Sequence, residues 1–290
     1  MTSSPALTPA AAAGTFAIGG DLEVNRLGYG SMHLAGPGAW GPGRDRAEAL
    51  RVLRRAVELG VTFIDTADVY GPFVTDELIR AALHPYPENL VIGSKVGSSN
   101  QGPGKWAPIG RPEYLRQQTL LNLRHLGLDR IDLLQLHRID PQVPLAEQIG
   151  ELKAMQDEGL VRHIGLSEVT VAEIEAVSAI TPVVSVQNRF NLADRASEDV
   201  LDYCTAHGIA FIPWFPLAYG RLAGAGSPLS ALADKHGRTP GQLALAWLLR
   251  RSPAILPIPG TSSVGHLEQN VAAAAIELGD DEWEQLDALG

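Results

Sequence analysis

Residues 46–65 read RAEALRVLRRAVELGVTFID, which is a helical pattern, a glycine and a short apolar run in direct succession. Apolar side chains such as Leu53 and Val57 recur at the three- and four-residue spacing of a helix that buries one face. Gly60 is a helix C-cap signal, and Val61–Asp65 follows as a candidate strand. The order helix, glycine, strand is typical of a βα unit in a parallel sheet.

The same order repeats along the chain. Several of the apolar runs are apolar on successive residues, as expected for parallel strands that are covered on both faces. The eight runs are Leu27–Gly30, Val61–Asp65, Leu90–Lys95, Ile131–His137, Val161–Ser167, Val183–Asn188, Ile209–Trp214 and Ile255–Pro259. Between them, the spacing predicts helices at Arg46–Leu59, Pro112–Leu126, Leu145–Glu158, Ser197–His207 and Gly241–Arg251.

Eight such units predict an α/β fold, a single (β/α)8 TIM barrel over residues 15–290, because barrels of this kind span about 250 residues. The alternative is an open doubly wound sheet, which normally has a G-x-G-x-x-G turn after an early strand. The segment 28–33 reads GYGSMH and lacks the third glycine, so the barrel is favoured. Ahead of the first run, Thr15–Ile18 and Leu22–Asn25 flank a Gly-Gly-Asp turn and predict an N-terminal β-hairpin.

Composition sets the expected class of protein. Residues 1–14 are rich in Ala, Pro, Ser and Thr without Lys or Arg, which predicts a disordered tail rather than a secretory signal. The formal charge of −10 disfavours nucleic-acid binding, and no long apolar stretch suggests a membrane span. Cys204 is the single cysteine, which excludes an intrachain disulfide and suits the reducing cytoplasm. We expect a cytoplasmic monomer or small homo-oligomer without a metal site.

Three consecutive predicted strands end in polar residues, namely Asp65, Lys95 and His137. In barrels, the carboxyl ends of the strands form the active site, so these side chains would face one mouth, with Tyr70 in the loop above. Taken singly, each has an ordinary structural role: a turn or helix cap, a strand-end lysine, a hydrogen-bonded interior histidine and a rim aromatic. Their convergence on neighbouring strand ends favours an active site.

The four residue types suit carbonyl reduction. A tyrosine has an ordinary pKa of about 10 and is a poor proton donor at neutral pH. A lysine cation next to it lowers that pKa, and a carboxylate keeps the lysine charged and oriented. A histidine then orients the carbonyl oxygen toward the phenol. Asp65, Tyr70, Lys95 and His137 are therefore predicted to act together as a general-acid device.

From about Phe16 to the C-terminus, the chain resembles the aldo-keto reductase superfamily. The segment 63–71, FIDTADVYG, is similar to the family's Asp/Tyr signature, and Lys95 and His137 stand where the family has its lysine and histidine. The resemblance implies reduction of aldehydes or ketones by hydride transfer from NADPH, with Tyr70 as the general acid. It also implies that Lys95 and Asp65 tune this acid and that His137 positions the carbonyl.

The resemblance further implies where NADPH binds. Ser167 and Gln187 match positions that hold the nicotinamide carboxamide, and Trp214 matches the aromatic that stacks on the nicotinamide ring. Glu168 stands where many members have asparagine. The remaining matched positions are Phe215, Pro216, Leu217, Gly220 and Arg221 along the pyrophosphate, and Gly260, Thr261, Ser262, His266, Gln269 and Asn270 at the adenosine phosphate.

The positions matched to the adenosine phosphate include the start of a helix, and a helix N-terminus suits a phosphate. Gly260 replaces a frequent lysine and His266 a frequent arginine near the ribose 2′-phosphate, so preference for NADP over NAD is a hypothesis. Outside the family match, Trp214 would be interpreted as a core aromatic and Ser262 as a helix N-cap.

The substrate is less defined. Residues 25–38 resemble a bacterial branch that includes pyridoxal reductases, so pyridoxal is a candidate. Aromatic side chains in loops would rim the pocket and suit a flat carbonyl compound: His33, Trp40, Trp106 and Tyr219. Two alternative functions are a Schiff-base lyase that uses Lys95, and a cofactor-binding redox sensor without turnover.

Overall fold

The computed structural model describes residues 8–224, 227–235 and 237–289. The strands are β1 (Thr15–Ile18), β2 (Leu22–Asn25), β3 (Tyr29–Gly30), β4 (Phe63–Asp65), β5 (Val91–Val96), β6 (Ser98–Asn100), β7 (Trp106–Pro108), β8 (Ile131–Leu136), β9 (Val161–Ser167), β10 (Ser185–Gln187) and β11 (Ala210–Phe211). The helices are α1 (Arg46–Glu58), α2 (Val74–Leu83), α3 (Pro112–Leu126), α4 (Leu145–Asp157), α5 (Val171–Ser178), α6 (Glu198–His207), α7 (Ser230–Lys235), α8 (Pro240–Arg251), α9 (Val264–Ala272) and α10 (Asp280–Asp287).

One parallel sheet organises the chain. Its seven strands lie in the order β3, β4, β5, β8, β9, β10, β11, which is their order in the sequence. Each pair of neighbours is parallel, as the helix–glycine–strand repeats predict. The five helices predicted by spacing are present, with ends that differ from the predicted ones by at most a few residues.

The eighth predicted run lies between the two edges of this sheet. It is not a regular strand, but its backbone bonds to both sides: Leu256 N–H donates to Phe211 O (2.8 Å), and Gly28 N–H donates to Pro257 O (3.0 Å). The approach to β3 is close, because a Cβ atom at Gly30 would lie 2.7 Å from the carbonyl oxygen of Ile258. The residue at position 30 must therefore lack a side chain.

Every second side chain along a strand points to the same side of the sheet, and on one side these side chains are buried together. Phe63, Val91 and Leu133 form one buried cluster with residues of β1 and β2, such as Ile18 and Val24. Strands β1 and β2 pair antiparallel, which confirms the predicted hairpin. Burying large aliphatic and aromatic groups in this way contributes roughly 1.5–3 kcal/mol for each side chain. The apolar cluster thus lies beneath the polar residues at the carboxyl ends of the strands.

The helices bury their apolar faces against the outside of the sheet, in a second and larger apolar cluster. Helices α2, α5, α7 and α10 were not singled out by apolar spacing, and each has ten residues or fewer. The hairpin of β6 and β7 was also missed, because its short strands lie in a loop of mixed polarity. None of the described helices combines the length and the hydrophobicity needed to cross a bilayer.

The second half of the predicted tail is ordered. Pro9–Ala13 form a 3-10 helix that packs against a second one at Ala273–Ala275, and Ala10 is fully buried with its N–H bonded to Leu59 O (2.9 Å). The prediction of disorder is therefore wrong for residues 8–14. The physical reason is that alanine side chains are small enough for the two short helices to approach closely. Residues 1–7 lie outside the described part of the chain.

Arg26 connects the hairpin to the far end of the sequence. Its guanidinium donates to the carbonyl oxygens of Leu249 (2.6 Å), Ser252 (2.6 Å) and Ile255 (3.3 Å). The carbonyls of Leu249 and Ser252 lie at the end of α8, where a helix leaves its last carbonyls without intrahelical partners, and the carbonyl of Ile255 lies at the start of the eighth segment. The Arg26 side chain thus links the segment between β2 and β3 to the end of α8 and to the eighth segment.

We expect Arg26→Ala to lower the free energy of unfolding by about 2–4 kcal/mol, because several carbonyl groups lose a charged donor together. Denaturant titration measures this change. Exposed Arg46 provides the matched control, and Arg46→Ala should change stability by less than about 0.5 kcal/mol. An equal loss of unfolding free energy in both variants would show that the Arg26 contacts do not stabilise the fold.

Candidate active site

A cavity of about 880 Å³ opens at the carboxyl ends of the strands. Three of the four predicted catalytic residues line it: Asp65, Tyr70 and His137. The fourth, Lys95, lies beneath the cavity surface and is fully buried. Asp65 ends β4, Lys95 lies near the end of β5, and His137 directly follows β8, which are neighbouring strands of the sheet. Parallel pairing therefore brings the four residues together.

The Lys95 ammonium has three acceptors within hydrogen-bonding distance. Nζ donates to Asp65 Oδ1 (2.5 Å), to the Thr66 carbonyl oxygen (2.9 Å) and to the Tyr70 hydroxyl (3.3 Å). Burial alone would lower the pKa of Lys95, but the Asp65 carboxylate and the Tyr70 hydroxyl outweigh it and raise this pKa. The lysine therefore stays protonated at neutral pH, with its cation beside the phenol.

The second oxygen of Asp65 is held by two glutamines. Gln187 Nε2 donates to Asp65 Oδ2 at 2.8 Å and Gln135 Nε2 at 3.3 Å. Gln187, which the family resemblance assigns to the nicotinamide carboxamide, lines the cavity, but its amide is bonded to the Asp65 carboxylate. Gln135 was missed by sequence reasoning. It shares the parity of His137 along β8, so the alternation of side chains is the signal that identifies it.

The environment of Tyr70 differs from the expectation that Lys95 sets its pKa. Burial is the strongest influence and raises the pKa of Tyr70 above 10, Lys95 lowers it, and Asp65 raises it again. The net direction is upward, so the prediction of a lowered pKa is wrong, because burial outweighs the lowering by Lys95. The phenol consequently keeps its proton throughout the neutral range and is available as a donor.

The imidazole of His137 lies edge-on to two aromatic rings. Its ring centre is 6.2 Å from that of Tyr70 and 5.9 Å from that of Trp106 on β7. Burial, followed by the charges of Lys95 and Arg138, holds the pKa of His137 well below its usual range. The ring is therefore neutral at physiological pH, and one of its nitrogens carries a hydrogen that can be donated to a carbonyl oxygen.

Trp214 is fixed by a glutamate that was predicted to contact the cofactor. Glu168 Oε1 accepts from Trp214 Nε1 (2.5 Å) and from the backbone N–H of Arg189 (2.8 Å). Glu168 adopts a left-handed backbone with φ of 56°, which is uncommon for a residue with a side chain and costs energy. Trp214 lines the cavity, whereas Glu168 does not. Glu168 thus affects the cavity indirectly, because it fixes the orientation of the Trp214 indole.

The other predicted binding residues are distributed along the cavity, with one exception. Arg221 is exposed and does not line it. The predicted residues that do line it, besides those already placed, are Ser167, Phe215, Pro216, Leu217, Gly220, Gly260, Thr261, Ser262, His266, Gln269 and Asn270. Among the predicted rim aromatics, His33 and Trp106 line the cavity, Trp40 does not, and the Tyr219 side chain lies outside the described structure.

The far end of the cavity lies at α9. A Cβ atom at Gly260 would lie 2.7 Å from Nδ1 of His33, so His33 occupies the space that a side chain at position 260 would need. The first N–H of α9, that of Val264, donates to Glu48 of α1 (3.0 Å). One donor of this helix N-terminus is therefore already engaged by a carboxylate. The other polar groups at this end of the cavity include those of Thr261, Ser262 and His266.

Comparison with known proteins identifies the family. The model of the aldo/keto reductase family matches residues 26–290. The chain belongs to the aldo/keto reductase family. It is therefore an oxidoreductase, and the resemblance inferred from residues 63–71 is confirmed.

Individual relatives agree with this assignment. The chain is 50% identical over 289 residues to an uncharacterized oxidoreductase of Schizosaccharomyces pombe, covering 100% of this chain and 94% of that protein. It is 46% identical over 281 residues to the pyridoxine 4-dehydrogenase of Escherichia coli, covering 95% and 98%. The structure of an aldo-keto reductase from Klebsiella pneumoniae in complex with NADPH superposes with a TM-score of 0.81 at 27% identity, covering 95% and 94%.

In this aldo/keto reductase, two further carboxyl groups, those of Asp68 and Asp76, are buried. Thr66 Oγ1 donates to Asp76 Oδ1 (2.8 Å), and Asp76 Oδ2 has no partner among the described residues. Burial raises the pKa of Asp76 to about 8. Burial and the neighbouring Asp76 also raise the pKa of Asp68 well above its ordinary value. Asp76 is consequently protonated in the folded protein at neutral pH.

This burial predicts a pH-dependent penalty. Between the unfolded pKa near 4 and the folded pKa of about 8, the folded protein holds a proton on Asp76 that the unfolded chain releases, so stability falls as pH rises. Asp76→Asn removes that titration and keeps an oxygen for Thr66. We expect the stability of the variant relative to wild type to increase from pH 5 to pH 8, by at most about 1.4 kcal/mol per pH unit.

Denaturant titrations at pH 5, 6, 7 and 8 measure this relative stability. Asp157 is an exposed aspartate, and Asp157→Asn serves as the control that should show no such trend. A stability difference for Asp76→Asn that is the same at every pH would contradict the buried, protonated carboxyl.

The contact between Glu168 and Trp214 predicts a separate effect. Glu168→Ala should lower the free energy of unfolding by about 1 kcal/mol and make Trp214 more accessible to the quencher acrylamide. Glu168→Gln should resemble wild type, because its amide oxygen accepts from the same donors. The Trp214 signal is obtained as the difference between each protein and its Trp214→Phe counterpart. Unchanged quenching in Glu168→Ala would show that the glutamate does not fix the indole.

Proposed function

We propose that this protein reduces aldehydes or ketones to alcohols by hydride transfer from NADPH, with Tyr70 as the general acid. We also interpret the seven-stranded sheet and its eighth segment as a (β/α)8 barrel that presents this site. The observation that carries the proposal is the Tyr70 hydroxyl at the cavity wall, 3.3 Å from a buried lysine that is paired with Asp65. A phenol in this setting can release a proton into the cavity and leave its negative charge beside a cation.

Each residue has a defined task in this reaction. NADPH, when bound, supplies the hydride that forms the new C–H bond at the carbonyl carbon. The carbonyl oxygen takes its proton from the Tyr70 hydroxyl, and Lys95 stabilises the phenolate that remains. Neutral His137 donates its N–H to the same oxygen and orients it. Asp65 keeps Lys95 charged and in place. The catalytic gain comes from groups that are already arranged before the substrate enters.

The residues along the cavity fit a dinucleotide. Trp214 offers an aromatic face held in one orientation by Glu168, and Ser167 offers a hydroxyl near the catalytic end. At the other end, Thr261, Ser262 and His266 offer hydroxyl and imidazole groups that can donate to a phosphate. NADP is the assigned cofactor, as in the Klebsiella relative. Preference over NAD rests on these donors, and a comparison of Michaelis constants for NADPH and NADH tests it.

We propose pyridoxal as the substrate. The cavity wall near Tyr70 includes Trp106 and His137, which suit a flat aromatic aldehyde. The relative from Escherichia coli is a pyridoxine 4-dehydrogenase, which acts on the alcohol of the same pair. The ratio of kcat/KM for pyridoxal and 4-nitrobenzaldehyde tests the assignment. A ratio of one or below would remove pyridoxal as the preferred substrate.

The lyase alternative is disfavoured by the position of Lys95. A Schiff-base lysine must reach its substrate as a free amine. Here the ammonium is buried, does not line the cavity, and has its pKa raised. Borohydride treatment in the presence of an aldehyde should therefore leave Lys95 unmodified. The redox-sensor alternative predicts tight NADPH binding without oxidation of the cofactor in the presence of any aldehyde.

The general-acid role predicts the effect of removing one oxygen atom. Tyr70→Phe should reduce kcat for 4-nitrobenzaldehyde by about 10²–10⁴-fold, since the proton donor is lost while the ring remains. NADPH oxidation is followed by absorbance, and calorimetry should give a dissociation constant for NADPH within about threefold of wild type. Retention of more than about a tenth of the wild-type kcat would assign the proton to another donor.

A further inference from the structure

Arg138 is a cavity residue that the carbonyl reaction does not use. It follows His137 after β8, is half-buried, and lines the cavity. Its Nη1 donates to the carbonyl oxygen of His137 (2.6 Å) and to the hydroxyl oxygen of Ser167 (3.1 Å). Both acceptors are neutral. The side chain is thus held at the cavity wall, and within the described residues its charge has no direct counterion.

No carboxylate among the described residues forms an ion pair with Arg138. Burial lowers the pKa of Arg138, and Glu168 counters this from beyond ion-pair distance. The Glu168 carboxylate is itself engaged by Trp214 and the backbone of Arg189. An arginine keeps its charge in proteins, and a cation removed from water is costly unless an anion accompanies it. An anion that pairs with Arg138 would therefore bind from the cavity side.

Other half-buried arginines have acceptors for their donor groups within the protein, and Arg26 is one example. All three groups of its guanidinium, Nε, Nη1 and Nη2, donate to carbonyl oxygens, and it does not line the cavity. Arg251 is half-buried and pairs with two carboxylates, those of Glu198 and Asp202. At Arg138, Nε and Nη2 have no acceptor within the described part of the chain. Two donors are consequently available to a ligand.

The position of Arg138 determines which part of the ligand should carry the negative charge. Its charge acts on both Tyr70 and His137, lowering the pKa of each. Arg138 is bonded to the His137 backbone and lines the same cavity as Tyr70 and His137, so a carbonyl group bound by these two residues would lie in the part of the cavity that Arg138 faces. Arginine binds oxyanions with paired N–H groups in a fixed plane, which gives direction as well as strength. The oxyanion should therefore be attached next to the carbonyl and not at a remote position.

We propose that Arg138 binds an oxyanion adjacent to the reactive carbonyl, so that the preferred substrates are carbonyl compounds with an α-carboxylate or an ortho-phenolate. This inference rests on the proposed reduction and names its substrate class. Pyridoxal belongs to the class, because its ring hydroxyl is adjacent to its aldehyde. Neutral aldehydes fill the same cavity but leave the guanidinium without a counterion.

The test compares charged substrates with neutral ones of the same shape. One pair is salicylaldehyde, assayed above the pKa of its phenol, and 2-methoxybenzaldehyde. The other is phenylglyoxylate and its methyl ester. In wild type, the charged member should have the higher kcat/KM. Arg138→Gln should lower kcat/KM for the charged member by about 10–100-fold and for the neutral member by less than about threefold. The pair with the larger drop identifies the phenolate or the carboxylate as the preferred group.

A binding measurement is independent of turnover. Calorimetric titration with benzoate and with benzamide, which differ in charge but hardly in shape, should show weaker binding of benzoate to Arg138→Gln and little change for benzamide. Arg138→Lys should recover part of the preference, because it restores the charge without the paired donors. Exposed Arg111 controls for net charge, and Arg111→Gln should leave both the substrate ratio and benzoate binding unchanged.

Three results would overturn the inference. An equal loss for charged and neutral substrates would assign Arg138 to holding His137 and Ser167. A weakened affinity for NADPH, with the substrate ratio preserved, would assign its charge to the cofactor. Equal binding of benzoate by wild type and Arg138→Gln would exclude an anion site at this residue. Failure of wild type to reduce any neutral or charged carbonyl would refute the proposed reduction, while the benzoate titration would still decide the anion site.

Discussion

The buried ion pair between Lys95 and Asp65 is the constraint around which the site is built. An ammonium and a carboxylate removed from water cost several kcal/mol each, and the pair is tolerated only when its remaining hydrogen-bonding positions are filled. The Thr66 carbonyl, the Tyr70 hydroxyl and two glutamine amides fill them. Together with Asp65 on β4 and Lys95 on β5, these partners come from β8, β10 and the loop after β4, so the pair can exist only when the parallel sheet is in register.

This requirement separates the interior into layers. Below the pair, Phe63, Val91 and Leu133 meet the N-terminal hairpin in an apolar cluster that excludes water. Above it, the cavity admits ligands. Low polarability beneath the site strengthens the attraction between the two charges, and the same burial keeps Tyr70 protonated and His137 neutral. Burial thus sets the protonation states that the proposed general-acid mechanism requires.

Much of this arrangement could be predicted from the chain. Strand-end residues of one parity converge in a parallel sheet, so Asp65 and Lys95 were correctly placed side by side, and Gln135 follows from the same rule. The contacts of Glu168 and Gln187 could not be predicted, because they depend on which side chains meet across β9, β10 and the loop beyond β11. Disorder was wrongly predicted for residues 8–14, since composition does not show that Ala10 finds a closely fitting surface.

The sequence by itself determined the order of the elements, the parity of each strand and the residue types at its end, because alternation and helical periodicity are local properties of the chain. It also carried the signature at residues 63–71 that identifies the family. Only the tertiary structure decided the charge balance of the site: burial outweighs Lys95 at Tyr70, and Arg138 faces the cavity without a carboxylate partner among the described residues. Desolvation and pairing depend on neighbours that are distant in sequence, so they are fixed only when the strands come together.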